Sequence, residues 1–428
     1  AKDHRYAFFP SVSAAWRISE ENFWQPLKGW WNDMKIRGSY GSLGNQVMDD
    51  LGNFPYLATY GTNSSYNYLI NGSKPVIVKA PGLVAPDFTW ETVTQMDFGF
   101  DASFLNNRLT GTFDWYRRNT KDMLVAGATL PATLGASVPK SNSADMKTIG
   151  WELSLGWNDR LENGFSYWVK GVLSDYQATI TKYAGNDAGF YSQSDDDGKY
   201  YVGQKIGEIW GYHSNGLFQS DDEAATIDQS ELYAGKWGAG DVKYEDLDND
   251  GKITKGEETI YNPGDKSIIG NKTPRYQFGI TVGFDYKNFD FEMFWQGTGK
   301  RDYMLSGAQF WGFTSQWDVP YTPALDYWTE TNTDAYFPRP GWQNGGNRVT
   351  SDRYLQSAAY GRLKNLTVGY TIPKNLTTKW GISRLRLYVT GENLLTITPL
   401  NDAFDPETLG GMTYPINRKV AIGLNLTL

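Results

Sequence analysis

The sequence predicts an all-β protein whose strands form an antiparallel transmembrane β-barrel. Three observations predict this class. Apolar and polar residues alternate with a period of two along many segments, the apolar faces are long and free of charge, and the connections between segments alternate between short and long. A soluble β-sandwich also shows the first of these features, so the other two favour a barrel in lipid.

The segment from Tyr276 to Lys287 shows the alternation most clearly. Its aromatic and aliphatic residues occupy one face, while Gln, Gly, Thr, Asp and Lys occupy the other. The same scheme recurs at 96–104, 149–158 and 420–428. A charge at mid-bilayer on the lipid face costs roughly 2–4 kcal/mol, so charge-free faces are expected in lipid and are less strictly required in a sandwich.

The alternation and the turn residues predict about eleven strands of roughly ten residues each. We expect them near 8–18, 34–43, 92–105, 108–121, 147–158, 164–177, 275–287, 289–299, 362–372, 384–394 and 418–428. Long connections are expected at 44–91, 122–146, 178–274, 300–361 and 395–417. Outer-membrane barrels place long loops outside the cell and short turns in the periplasm. Because bacterial barrels usually close on an even number of strands, the odd count predicts that the barrel begins outside this chain.

Composition excludes several other classes of protein. The net charge of −8 argues against a nucleic-acid partner, and the absence of cysteine excludes disulfide frameworks and thiolate metal sites. No run of about twenty apolar residues exists, so we expect no membrane-spanning helix. The histidines are only His4 and His213, and no HExxH motif or suitably placed GxSxG is present. We therefore do not expect an enzyme.

The stretch DLDNDGKITKGE, residues 246–257, fits the template of a calcium-binding loop. The expected oxygen ligands are the side chains of Asp246, Asp248, Asp250 and Glu257, the carbonyl of Lys252, and Thr254 directly or through water. Clustered carboxylates repel one another unless a cation neutralises them, which favours bound calcium over an empty Asp-Gly turn. The flanking residues read as turns and extended chain, so we expect a structural ion that holds the loop rather than a calcium sensor.

Several blocks of residues together resemble one known family. They are FFPSVSAAWRISEENFW, MKIRGSYGSLGNQ, FTWETVTQMDFGFDASFLNNRLTGTFDWYRRNTKDML, IWGYHSNGLFQS, YWTETNTDAYFPRP, AYGRLKNLTVGYTIP, LRLYVTGENLLTITP and FDPET, in that order. Over nearly all 428 residues the chain resembles the C-terminal half of SusC/RagA-type TonB-dependent outer-membrane transporters.

The resemblance implies a 22-stranded barrel in the outer membrane of a Gram-negative bacterium, closed by an N-terminal plug that this chain is expected to lack. It also implies a SusD-like lipoprotein that covers the barrel from outside. The TonB complex would supply the energy to import glycans, or peptides, that are too large for porins.

Aromatic residues in the long loops are candidates for stacking on sugar rings. The candidate residues are Trp311 and Trp317, which we expect on a mobile loop, together with Tyr66, Tyr68 and Trp210. Two alternatives to a transporter remain open from the residues. One is a soluble cell-surface β-protein that binds glycan and calcium, and the other is a β-sandwich glycosidase.

Overall fold

Eleven strands of the computed structural model form its main sheet. The structure describes residues 6–45, 57–63, 69–70, 72–85, 88–126, 131, 133, 135–136, 138–184, 186, 189, 200–410, 414 and 416–428. The strands are β1 (Ser11–Trp16), β2 (Trp31–Asn45), β3 (Glu91–Phe104), β4 (Leu109–Ala126), β5 (Lys140–Arg160), β6 (Ser166–Tyr183), β7 (Arg275–Tyr286), β8 (Phe289–Lys300), β9 (Tyr360–Thr371), β10 (Arg384–Ile397) and β11 (Lys419–Thr427). Each strand overlaps the range predicted for it.

The strands follow one another in the sheet in chain order, from β1 at one end to β11 at the other, and every neighbouring pair is antiparallel. Tight turns close one side of the sheet. Asn106 and Asn107 adopt φ values of 59° and 62°, and Lys287 adopts 55°. This left-handed conformation is the one that short hairpin turns require, and asparagine tolerates it best after glycine. The sheet confirms the predicted fold class and fits part of a β-barrel.

Strand register gathers the apolar residues on one face of the sheet. Val282 of β7 pairs with Val169 of β6 and with Met293 of β8. Val389 of β10 pairs in the same way with Ile422 of β11. A slip of one residue would move all of these side chains to the other face, so the register is strongly specified. Val169, Val389 and Ile422 are exposed in the chain, which fits a face turned to lipid.

Charged residues occupy the opposite face and pair across strands. The guanidinium of Arg37 on β2 donates to Asp101 on β3 at 3.2 Å and also contacts Asp114 on β4. Arg386 on β10 makes an ion pair with Asp290 on β8. Ion pairs of this kind need a polar environment, so this face suits the wall of a water-filled passage.

The main buried apolar cluster of the described chain lies in the long connections rather than in the sheet. Its members are Tyr212, Leu217, Val242, Tyr244, Ile253, Leu305, Phe310, Trp311, Phe337, Tyr354, Ala358, Leu400 and Leu409. They come from three connections that are far apart in sequence. We call the structure that they form, residues 200–274, 301–359 and 398–410, the loop domain.

Short elements complete the fold. Short strands are Gly61–Asn63, Ile77–Lys79, Glu208–Tyr212, Ser214–Leu217, Val242–Tyr244, Lys266–Asn271, Asp302–Met304 and Leu355–Ser357. One-turn α-helices are Asp221–Ala224, Ala308–Trp311 and Lys374–Thr377. The 3-10 turns are Ile18–Glu20, Asn22–Leu27, Thr322–Leu325, Gly345–Arg348 and Thr378–Trp380. In the described part of the chain, no helix has the length and apolar character needed to span a membrane.

Strands β5 and β6 extend further than predicted, to Lys140 at the start of β5 and Tyr183 at the end of β6. The predicted ranges were 147–158 and 164–177. In the structure both strands continue past these ranges, where Ala144, Ile180 and Tyr183 form a second buried cluster. The extra length of both strands therefore belongs to the outer part of the sheet.

Candidate functional site

The last long connection is held against the polar face of the sheet by a buried arginine. Arg362 of β9 is 2% exposed, and its guanidinium donates to Asp405 at 2.6 Å and lies 3.2 Å from a carboxylate oxygen of Glu407. The ammonium of Lys364 donates to the same Glu407 side chain at 2.8 Å. A buried arginine needs such partners, so the two acids of the FDPET block fix this loop over the polar wall.

A second buried charge organises the centre of the loop domain. Asp241 is 1% exposed and accepts two hydrogen bonds from the guanidinium of Arg339, at 3.0 and 2.7 Å. It also accepts from the side-chain amide of Asn347 at 2.8 Å and from the backbone N–H of Gly238 at 2.9 Å. These bonds join two connections that are about one hundred residues apart in sequence.

The calcium-loop sequence forms a compact turn stabilised by its own carboxylates. Asp246 accepts hydrogen bonds from the backbone N–H groups of Asn249, at 2.6 Å, and Gly251, at 2.7 Å. Gly251 adopts φ 85°, a conformation that favours glycine at this loop position. Carboxylate oxygens of Asp246, Asp248 and Asp265 lie within 4.8 Å of one another.

Asp265 was not among the predicted ligands, and it is the third member of this carboxylate group. Its side chain is fully buried and accepts from the backbone N–H groups of Leu247 and Thr254, both at 2.7 Å. Glu257 is exposed and lies outside the carboxylate group found among the described residues. The arrangement of the side chains favours Asp265 over Glu257 as the third carboxylate beside Asp246 and Asp248, and ligation itself stays a prediction.

The other predicted ligands are Asp250, Lys252 and Thr254. Asp250 is also outside the carboxylate group, and its side chain accepts from the backbone N–H of Lys252 at 2.8 Å. Ligation by the Lys252 carbonyl and by Thr254 stays a prediction. Thr254 does lie beside the group, since its backbone N–H donates to Asp265.

The pKa values of Asp246 and Asp248 are shifted in opposite directions. Desolvation acts to raise the pKa of Asp246, but hydrogen bonds from the N–H groups of Gly251, Asn249 and Asp250 outweigh it and lower that pKa. Desolvation and then the negative charge of Asp250 raise the pKa of Asp248 above its ordinary value. The loop thus holds negative charges in mutual repulsion, which a cation would relieve.

The structure separates the aromatic candidates. Trp311 is 7% exposed, and its ring packs edge-on against Tyr354 with the centroids 4.6 Å apart. Trp210 is also buried and contacts Tyr201. Neither ring offers an open face, so the expectation that Trp311 lies on a mobile loop is wrong. Trp317 is 83% exposed and keeps a free ring face. Tyr66 and Tyr68 lie outside the described residues.

Comparison with protein families identifies the chain. Residues 1–394 match the family model described as TonB dependent receptor-like, beta-barrel. The chain belongs to this family. TonB-dependent receptors are outer-membrane proteins of Gram-negative bacteria and are not enzymes, so the soluble binding protein and the glycosidase are both excluded.

Named relatives agree with the family match. The chain is 30% identical over 465 residues to TonB-dependent receptor P3 of Formosa agariphila, an alignment that covers 100% of the chain and 42% of that relative. It is 27% identical over 433 residues to TonB-dependent receptor SusC of Bacteroides thetaiotaomicron, covering 100% of the chain and 40% of SusC. The chain therefore spans less than half the length of the curated relatives it matches.

The fold has a close counterpart among solved structures. The RagAB peptide transporter aligns with a TM-score of 0.77 at 22% identity, covering 99% of this chain and 44% of that one. The RagAB peptide importer in its open-open state aligns with a TM-score of 0.76, covering 100% of this chain and 43% of that one. This likeness confirms the barrel fold, and the family match together with the similarity to SusC confirms the SusC/RagA-type resemblance.

Proposed function

We propose that this TonB-dependent receptor barrel forms part of the wall of an outer-membrane importer that takes up glycans or peptides with energy supplied through TonB. The observation that carries the proposal is the two-faced sheet. One face exposes aliphatic residues such as Ile280 and Val389, and the other presents ion pairs such as Arg386 with Asp290. A sheet of this kind separates lipid from a polar passage.

The charges of the polar face favour a cargo without large net charge. Arg37 and Arg386 are matched across strands by acids, so the wall offers both signs of charge close together. Matched pairs of this kind offer a polyanion no net attraction. Oligosaccharides and peptides fit such a wall, and the solved RagAB relatives are described as peptide transporters.

A SusD-like lipoprotein is the proposed partner on the outer side. The loop domain exposes several large apolar side chains within one connection, among them Trp317, Val319 and Leu325. Exposed apolar patches of this kind mark contact surfaces on proteins, and Trp317 could also stack on a sugar ring.

Growth experiments in the native bacterium test the transport proposal. Deleting the full-length transporter or its TonB is expected to abolish growth on one class of oligomer, glycan or peptide, while growth on the corresponding monomers continues. The monomers pass through porins and so serve as the control. Normal growth of both deletion strains on every glycan and peptide supplied would contradict the proposal.

Calcium is the proposed ligand of the carboxylate group in the loop domain, with Asp246, Asp248 and Asp265 as its side-chain ligands. Hard oxygen ligands suit Ca²⁺, and extracellular sites bind it at roughly 0.1–1 mM. Bound calcium would offset most of the negative charge of the three carboxylates and hold residues 246–265 in place. Its role would be structural, as the sequence also suggests.

Protease digestion tests this calcium site. We expect Asp248→Asn and a chelator each to increase cleavage within 246–265, because the isosteric amide keeps the side-chain shape but loses the ligand charge. Glu257→Gln is the matched control and should behave like the unchanged protein, since Glu257 lies outside the group. Equal cleavage with and without chelator would refute the site.

The same assay has an expected pH dependence. Calcium binding requires ionised carboxylates, so protection should be complete at neutral pH and be lost as the pH falls through the raised pKa of Asp248. Without calcium, the effect of pH on loop stability has the opposite sign, because protonation of Asp248 removes its repulsion with Asp250. Acidification should then stabilise the metal-free loop, and a loop that instead loosens on mild acidification without calcium would contradict this account.

A further inference from the structure

Five basic side chains share one surface of the sheet, at the outer ends of β4, β5 and β6. We call this surface the basic patch, and its members are Arg117, Lys121, Lys147, Lys182 and Lys205. Asn119 of β4 pairs with Lys147 of β5. Lys147 pairs in turn with Thr179 of β6, and the other partner of Thr179 is Lys205. One row across the sheet therefore carries Lys147 and Lys205, separated by a single strand.

The other three cations lie in the rows on either side. Arg117 precedes Asn119 by two residues and Lys121 follows it by two, so the period of two puts them on the same face. Lys182 of β6 pairs with the residue two positions before Lys147 on β5. Diagonal neighbours on adjacent strands have Cβ atoms about 7–8 Å apart, so one group with several oxygens can contact two of these cations.

The apolar band of these strands ends just below the basic patch. On the apolar face, Trp115 of β4 pairs with Trp151 of β5. Tryptophan rings of outer-membrane barrels form girdles at the interfaces of the lipid layer. Arg117 follows Trp115 by two residues on the same face, and β4 runs from a short turn towards a long outer connection. The basic patch therefore begins at the height of the head groups of the outer leaflet.

Positive charge exceeds negative charge in the basic patch. In the described part of the chain, no carboxylate makes an ion pair with any of its five cations. The acids of this region have other partners. Asp145 accepts from the backbone N–H of Asp122 at 3.0 Å, and Asp175 pairs with Arg275. The carboxylate of Glu208 accepts from a tyrosine hydroxyl at 2.6 Å. The five cations are therefore able to contact a group from outside the chain.

The position, charge and width of the basic patch define the chemistry of that group. At the edge of the lipid layer it must carry negative charge next to apolar chains, as a phosphate-bearing lipid does, and phosphate oxygens bind guanidinium and ammonium groups strongly. Neighbouring strands lie about 4.8 Å apart, so β4, β5, β6 and the segment of Lys205 span about 14 Å. A single phosphodiester is too small for this width, whereas a glycolipid with phosphates on its sugar rings covers it.

We propose that the basic patch binds a phosphorylated glycolipid of the outer leaflet, the lipid A part of lipopolysaccharide. One phosphate would contact Arg117 and Lys147. A second would contact Lys182 and Lys205, and the acyl chains would lie along the apolar face below. The site is on the opposite face of the sheet from the polar wall of the proposed passage, so lipid would bind whether or not a cargo molecule is present.

Native mass spectrometry of the purified full-length transporter in detergent tests the proposal with lipid A as the probe. We expect saturable binding of lipid A. Dephosphorylated lipid A keeps the sugars and acyl chains, and phosphatidylglycerol keeps one phosphate on a small head group, so each should bind at least about tenfold more weakly. Inorganic phosphate at the concentration of lipid A should leave lipid binding unchanged.

Each comparison has a result that would overturn the proposal. Without saturable binding of lipid A there is no site. Equal binding of dephosphorylated lipid A would show that the acyl chains alone make the contact. Equal binding of phosphatidylglycerol would refute the glycolipid, and displacement of lipid A by inorganic phosphate would refute a lipid occupant.

Matched variants assign the binding to the basic patch. The test variant replaces three of its cations with glutamine, through Arg117→Gln, Lys147→Gln and Lys205→Gln. Each cation near an anionic lipid surface contributes about fivefold to binding, so the affinity for lipid A should fall by at least about tenfold. The matched control combines Lys35→Gln, Arg118→Gln and Lys170→Gln.

The control variant removes the same positive charge from the polar face, where Lys35 pairs with Asp101 and Lys170 pairs with Thr281. Arg118 adjoins Arg117 in β4, so its side chain is on the other face of the sheet. All six substituted side chains are exposed or half-buried, so both variants should fold, which their heat-modifiable bands verify. The control should bind lipid A like the unchanged protein. Equal affinity of the test variant and the control would overturn the proposal.

Discussion

Replacing Ile280 with arginine is expected to destabilise the barrel by roughly 2–4 kcal/mol, because the guanidinium would lie near the middle of the lipid layer. Ile280 is in the centre of β7, on the apolar face, and is 40% exposed in the chain. It pairs with Gly171 of β6 and Trp295 of β8. None of these neighbours offers the arginine a counter-charge.

Thr281→Arg is the matched control for this substitution. Thr281 is the next residue and faces the polar side, where its partner on β6 is already a lysine, Lys170. We expect this variant to fold with a loss of less than about 1 kcal/mol. Urea unfolding of the full-length protein in lipid, together with its heat-modifiable fraction in outer membranes, measures both effects. Equal stability of the two variants would contradict the assignment of faces.

Removing the Asp241 carboxylate should destabilise the loop domain by about 3 kcal/mol. In Asp241→Ala, the guanidinium of Arg339 loses both of its acceptors. The side-chain amide of Asn347 and the N–H of Gly238 also lose theirs in a buried place. Arg339 itself is partly exposed and can recover water, which keeps the effect at the lower end for a broken buried pair.

A second variant at position 241 separates the charge of the side chain from its shape, and a variant at Lys236 serves as the control. Asp241→Asn keeps the shape and some hydrogen bonds, so its loss should be intermediate. Lys236→Ala removes an exposed ion pair with Asp221 and should leave stability nearly unchanged, because solvent screens such a pair. Limited proteolysis in increasing urea, with the cleavage sites mapped by mass spectrometry, reports on the loop domain, where Trp237 and Trp311 pack in its core. A loss in Asp241→Ala no larger than that in Lys236→Ala would contradict the network.

The strands could be predicted because their pattern is local. Lipid requires every second residue of a strand to be apolar, so six alternating residues within Tyr276–Tyr286 identify both the strand and its faces. Turn residues such as Asn106 and Asn107 then mark the reversals. The outer ends of β5 and β6 escaped prediction because they leave the lipid, where the same requirement no longer holds.

The loop domain could not be predicted in the same way, because its contacts join residues far apart in sequence. Trp311 lies in a Gly/Ser-rich stretch that reads as a mobile loop, but its ring is covered by Tyr354 from the other end of the same connection. Asp265 approaches Asp246 because Gly256 and Gly264 bring two backbone segments into contact so close that neither position has room for a Cβ. Neither of these contacts is marked by a periodic pattern in the sequence.

Cysteine scanning along β7 tests most directly whether the apolar face of the sheet meets lipid. The 428 residues contain no cysteine, so each introduced thiol is unique within them. Single cysteines at Ile280, Val282 and Phe284, and at Thr281 and Asp285, would carry a bimane label in the full-length protein. We expect nitroxide lipids to quench the first three labels and not the last two. Quenching without this alternation, or confined to Thr281 and Asp285, would contradict the lipid-facing orientation of the sheet.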